Sequence, residues 1–104
     1  MMEAACRGAK EADGLTVGIL PGSDRSEANP FVDVALPSGL GEARNVLVVR
    51  AADVVIAIGG GYGTLSEIAL SLKAGKRVLG IGTWEIEGVV AAQDPKAAVA
   101  AALS

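Results

Sequence analysis

The sequence predicts an α/β domain: a parallel sheet with helices on both faces. Three observations predict it. Short apolar runs alternate with segments of helical periodicity along the chain. The runs are apolar at consecutive positions, as strands covered on both sides require. One run, Val54–Ile58, leads directly into Gly59-Gly60-Gly61-Tyr62-Gly63-Thr64-Leu65-Ser66-Glu67, the strand, glycine turn and helix succession of parallel α/β units.

Taken in order, Met2, Ala5, Cys6 and Ala9 recur at helical spacing, so the chain opens inside a helix. Asp13-Gly14 closes it, with Gly14 expected in the left-handed conformation. Leu15–Leu20 reads as a strand stopped by Pro21-Gly22, and residues 23–30 as a polar loop. Val32–Leu36 is a second short strand. Gly41–Ala52 reads as a helix with Ala43, Val46 and Leu47 facing inward. After the Val54–Ile58 strand, Gly63–Ala74 is a helix with Leu65, Ile68, Ala69 and Leu72 on one face, ended by Gly75. Val78–Ile81 is another strand, with Trp84 just beyond it. Asp94-Pro95 is an N-cap followed by proline at the first helical position, and it starts a helix running to Leu103. A sheet of this kind rarely opens with a helix, so one half of the nucleotide-binding unit is expected to be missing ahead of Met2.

Composition narrows the function. The 104 residues suffice for one domain, residues 1–104, and 51% apolar content predicts a packed core. A net charge of −3 argues against a nucleic-acid partner or an anionic membrane surface. The apolar runs are too short to span a bilayer, and residues 1–10 lack the pattern of a secretory signal, so a cytoplasmic setting is expected. The lone cysteine, Cys6, is expected to be a buried or half-buried helix residue. Without histidine, the Ser-His-Asp and Cys-His schemes fall away, and no metal site is expected. Acid–base work would fall to Asp, Glu, Lys or Tyr62.

The glycine turn is the candidate site. A strand entering a glycine turn that opens a helix aims backbone N–H groups and the positive end of the helix dipole at one point, a seat for a phosphate or carboxylate. It is not a Walker loop, for no lysine follows the last glycine. Nor is it a complete dinucleotide fingerprint, because Thr64 stands where the last glycine belongs. Glu85, beyond the next strand, is a weak candidate for a ribose-binding acid. A simpler reading also fits: Thr64-Leu65-Ser66-Glu67 is a capping box, with Thr64 as N-cap and Glu67 reaching back to it. Capping leaves four glycines in five positions unexplained. Ser23, Asp24 and Arg25 follow a strand C-terminus but read best as plain loop. Asp53 reads as a turn residue; Trp84 could shield a dimer interface or a pocket, but ordinary packing fits it better.

Gly59-Gly60-Gly61-Tyr62-Gly63-Thr64-Leu65-Ser66-Glu67 resembles the Pro-Gly-Gly-x-Gly-Thr-x-x-Glu signature of the LOG family, often mislabelled lysine decarboxylases. The upstream Gly41-Glu42-Ala43-Arg44-Asn45 sits where that family carries an arginine. Met2 to Leu103 resembles the branch that includes molybdenum-cofactor carrier proteins, where a triple glycine and Gly-x-x-Arg-Asn are usual. The resemblance implies a Rossmann-like fold, N-terminally truncated here by a strand–helix–strand portion, and a homodimer binding a nucleoside monophosphate or a pterin-type cofactor. In the enzymes of the family, the N-glycosidic bond of a nucleoside 5′-monophosphate is hydrolysed. By resemblance, Glu67 would stabilise the oxocarbenium-like transition state and Arg44 would hold substrate or leaving group. Gly60, Gly61, Gly63 and Thr64 would contact the phosphate. No cofactor of the chain's own is implied. Gly59 replaces the enzymes' proline and Asn45 their usual lysine, and both departures favour the carrier-like branch. The expectation is thus a phosphoribohydrolase, with a non-enzymatic carrier for molybdenum cofactor or a nucleotide, or an inactive fragment, as alternatives.

Overall fold

A computed structural model describes residues 2–104. The elements fall into two compact units, one ending at Arg44 and one comprising Asn45–Ser104. The five strands pair, all in parallel, in two separate sheets.

In the first unit, helix α1 (Met2–Glu11) precedes strand β1 (Val17–Leu20), which pairs with β2 (Val34–Pro37) in the register Val17 to Val34 and Ile19 to Leu36. The α1 terminus departs from the expectation. Asp13, not Gly14, takes the left-handed conformation, at φ 61°. Aspartate tolerates it because its short polar side chain can bond locally. Gly14 fits for a different reason: its N–H donates to the Ala9 carbonyl at 2.7 Å, and a Cβ on Gly14 would crowd that oxygen at 3.1 Å. Cys6 is half-buried, as expected.

Polar bonds hold β1 to the segment before β2. The Asp33 carboxylate accepts the Thr16 N–H and the Lys10 ammonium, each at 2.9 Å. The Thr16 hydroxyl in turn accepts the Asp33 N–H at 2.8 Å. The Thr16 N–H first, and Lys10 second, hold the Asp33 carboxyl below its ordinary value. Alternation puts Val17, Ile19, Val34 and Leu36 on one face. Val17, Val34 and Leu36 remain exposed there. The polar loop contains a short 3₁₀ turn, Arg25–Glu27, capped by Asp24, whose carboxylate accepts the Ser26 N–H.

The expected Gly41–Ala52 helix is a 3₁₀ turn, Gly41–Ala43, followed by helix α2 (Arg44–Ala51). Its buried residues are Asn45 and Val49, while Ala43, Val46 and Leu47 are exposed. Four consecutive apolar residues, Val46 to Val49, offer an apolar stripe in several directions, so periodicity alone could not select the inward face.

The second unit carries β3 (Val54–Ile58), α3 (Tyr62–Lys73), β4 (Arg77–Ile81), β5 (Val89–Ala91) and α4 (Pro95–Leu103). Its sheet order is β3-β4-β5. Strand β5 has no sequence signal, because three residues after Gly88 carry too little pattern; its pairing with β4 defines it. Ile68 of α3 is fully buried and clusters with Ala57 of β3 and Val78 of β4; Leu72 and Trp84 pack against this cluster. Leu79 points to the opposite face of β4 and is just as buried. Helix α3 contacts β3 and β4, and α4 contacts β4. Ala69, expected inward, is exposed, and Ser71 takes the buried position, its hydroxyl donating to the Glu67 carbonyl. Gly75, at φ 74°, ends α3 as expected. Asp94 caps α4 by accepting the Ala97 N–H at 2.7 Å, with Pro95 at the helix start.

Candidate functional site

The site is built from the end of β3 outward. Gly59 continues the ladder, donating its N–H to the Ile81 carbonyl at 3.3 Å, and then turns the chain at φ 85°. That left-handed conformation is open to glycine and closed to proline, whose ring fixes φ near about −65°. Gly60 and Gly61 follow. Gly61 is the N-cap residue of α3, in extended conformation, and no side chain caps the helix.

This overturns the capping-box reading. Thr64 is the third residue of the helix and Glu67 lies beyond its first turn, so neither can act as that box requires. The first ladder bond runs from the Leu65 N–H to the Gly61 carbonyl at 3.1 Å. The N–H groups of Tyr62, Gly63 and Thr64 precede it and are the helix's orphan donors.

Glycines elsewhere in this unit have visible causes. At Gly80 a Cβ would lie 2.6 Å from the Thr83 methyl, and at Gly88 3.0 Å from Leu72, with φ positive as well. At Gly60, Gly61 and Gly63 a Cβ would meet nothing within 4 Å, and φ lies outside the left-handed region. Neither the chain's packing nor its backbone conformation accounts for these three.

The structure brings Gly60, Gly61, Gly63, Thr64 and Glu67 together on one turn and the start of one helix. Arg44 belongs to the first unit. Its guanidinium donates to the Ile19 carbonyl of β1 at 2.7 Å, so it is held at the strand rather than freely solvated. Asp24 is a local cap; the Ser26 N–H it accepts lowers its pKa. Glu85 is exposed and lines a cavity of about 330 Å³ with Gly82, Thr83 and Ile86. Among the described residues, no group of three or more Cys, Asp or Glu side chains is placed to share a metal ion.

Trp84 packs against the core cluster, in line with the packing expectation. It also reaches the turn. Its indole N–H donates to the Gly61 carbonyl at 3.3 Å, and its ring stacks on Tyr62 with centroids 6.2 Å apart and planes 24° from parallel. Only its place just after β4, at the end of the sheet where β3 delivers the glycine turn, could have signalled this.

The fold has close counterparts. The molybdenum cofactor binding protein of Rippkaea orientalis superposes with a TM-score of 0.89 at 40% identity, over 98% of this chain and 69% of that one. The molybdenum cofactor carrier protein of Chlamydomonas reinhardtii gives 0.82 at 38% identity, over 95% and 66%. An uncharacterized protein of Archaeoglobus fulgidus is 45% identical over 100 residues, 95% of this chain and 66% of that protein. The chain thus spans roughly two thirds of the length of these relatives. The parallel sheets flanked by helices are those of the Rossmann-like fold that these structures share. The SLOG cluster4 family model matches residues 1–103, and the chain belongs to that family.

Proposed function

We propose that the chain is part of a non-enzymatic binding or carrier protein for a phosphorylated pterin-type cofactor, with molybdenum cofactor as its cargo. The observation that carries this reading is the open space over Gly60, Gly61 and Gly63. Glycines required neither by packing nor by conformation are accounted for if a bound group approaches the backbone closely. Beside them stand the orphan N–H groups of Tyr62, Gly63 and Thr64 and the Thr64 hydroxyl, a donor set that suits a phosphate at a helix N-terminus. The two relatives from Rippkaea orientalis and Chlamydomonas reinhardtii, a binding protein and a carrier protein for molybdenum cofactor, suggest the rest of the ligand. A homodimer in a cytoplasmic setting goes with this reading.

Two residues weigh against the hydrolase. The enzymes' proline could not adopt the φ of 85° seen at Gly59, nor donate to Ile81. Asn45, in place of the usual lysine, is only 8% exposed, a poor setting for an unpaired ammonium. One observation favours the second reading, a nucleoside 5′-monophosphate phosphoribohydrolase: Glu67 is free of the capping role and lies on the helix that carries the phosphate donors. Arg44 would then hold substrate or leaving group.

Thermal melts with inorganic phosphate and with AMP test the shared part. A ligand at one hundred times its Kd adds about 2.7 kcal/mol of stability, so the melting transition should move up by several degrees with either. No shift at millimolar concentrations of both would overturn the phosphate site. Incubation with AMP separates the two functions. The carrier releases no adenine. Adenine release that Glu67→Gln abolishes would establish the hydrolase instead. A broad melt without cooperativity would support the inactive-fragment alternative.

A further inference from the structure

We propose that Trp84 is a positioning residue that sets the orientation of the Gly61–Tyr62 peptide, and with it the anion seat. The inference rests on the reading of the glycine turn as a phosphate site.

Three contacts converge on that peptide. The Gly61 carbonyl accepts the Leu65 N–H at 3.1 Å and the Trp84 indole N–H at 3.3 Å, while the Tyr62 ring stacks on the indole. Because the peptide is planar and trans, the Tyr62 N–H points opposite to the Gly61 carbonyl. Holding that carbonyl toward the helix and the indole keeps the Tyr62 N–H directed out of the helix N-terminus, among the orphan donors. A rotated peptide would present a carbonyl oxygen to the incoming anion instead.

The turn needs such a strut. Glycine at 60 and 61 leaves the backbone many accessible conformations, no side chain caps α3, and a Cβ at either glycine would touch nothing, so neighbouring packing does not brace them. Trp84 is suited to the task because its ring is wedged against the cluster of Ala57, Ile68 and Val78. It ties the glycines of the turn to a buried cluster of the unit. The Tyr62 ring, 84% exposed, lies on the outer side of the pair.

Trp84→Phe keeps a ring in the apolar cluster and removes the donor. Amide hydrogen exchange and a phosphate titration on the full chain read the result. The expected outcome is a roughly tenfold rise in exchange at Leu65, whose acceptor is the freed carbonyl, with Val78 and Leu79 unchanged, in keeping with the loss of one hydrogen bond. Phosphate affinity should fall by a similar factor. Unchanged Leu65 exchange, or a phosphate affinity equal to the parent's, would overturn the role. A uniform rise that includes Val78 and Leu79 would also overturn it, making Trp84 core only. If the parent chain binds no phosphate while Leu65 still responds, the strut stands and the anion-seat reading fails.

Discussion

The two units of this chain are held by different physics. In the unit ending at Arg44, Leu20 is the buried apolar side chain of the described residues, and the strands are tied by the Thr16, Asp33 and Lys10 bonds. In the unit from Asn45 onward, Val49, Ala57, Ile68, Val78, Leu79 and Ala98 are all buried. The glycine turn is mounted on the second, Arg44 on the first. A ligand seat built from backbone N–H groups needs a stiff mount, since its donors have no rotamers of their own to adjust. The apolar unit supplies that mount, while in the polar unit the Arg44 guanidinium is tied to the Ile19 carbonyl.

The largest effect is expected where that contrast is greatest. Ile68→Ala removes the centre of the apolar cluster and should cost about 2–5 kcal/mol. The loss should appear as earlier melting and as faster amide exchange in β3 and β4. A cost below one kcal/mol would mean that the second unit does not depend on its core as argued.

Gly59→Pro sharpens the contrast at the turn. It restores the residue of the enzyme signature, yet it forbids the φ of 85° and deletes the N–H bonded to Ile81. The expected loss is about 1–3 kcal/mol, from backbone strain and the missing bond. Phosphate binding should fall with it. A stable Gly59→Pro chain that binds phosphate normally would show that the turn adapts, and would remove one argument against the hydrolase.

The smallest effect is expected in the polar unit and depends on pH. The Asp33 pKa is lowered in the folded chain, so its ionised form stabilises the fold. That contribution is fully present above the ordinary aspartate value of 3.8 and is lost as pH falls through the lower folded value. Asp33→Asn should therefore melt a few degrees below the parent at neutral pH, with the gap closing as the solution is acidified past that range. A gap that does not narrow as pH falls below 3.8 would show that the carboxylate charge is not what holds β1 to Asp33.

Much of the site was legible because it is local. Strand Val54–Ile58, the turn after it and the helix that follows lie within twenty consecutive residues, and their residue types announce them. The Asp94 cap and Gly75 stop were legible for the same reason. The capping box failed although it is also local: Thr64 and Glu67 have the right types and spacing, but the helix begins earlier, at Tyr62, so they fall inside it. Sequence spacing fixes the relation of two residues to each other, not their phase against the helix start.

What the sequence alone determined is therefore the α/β class, the alternation of its elements, and a glycine turn whose composition exceeds what the fold needs. What only the tertiary structure decided is which residues go inside and what braces the turn. Asn45 and Val49 are buried in place of Val46 and Leu47, β5 exists because β4 pairs with it, and Trp84 reaches back to Gly61 from more than twenty positions away. The physical reason is the same in each case. Propensity, caps and turns act between near neighbours, whereas an inward face, a short strand and a side-chain strut are selected by partners that only the folded chain brings into contact.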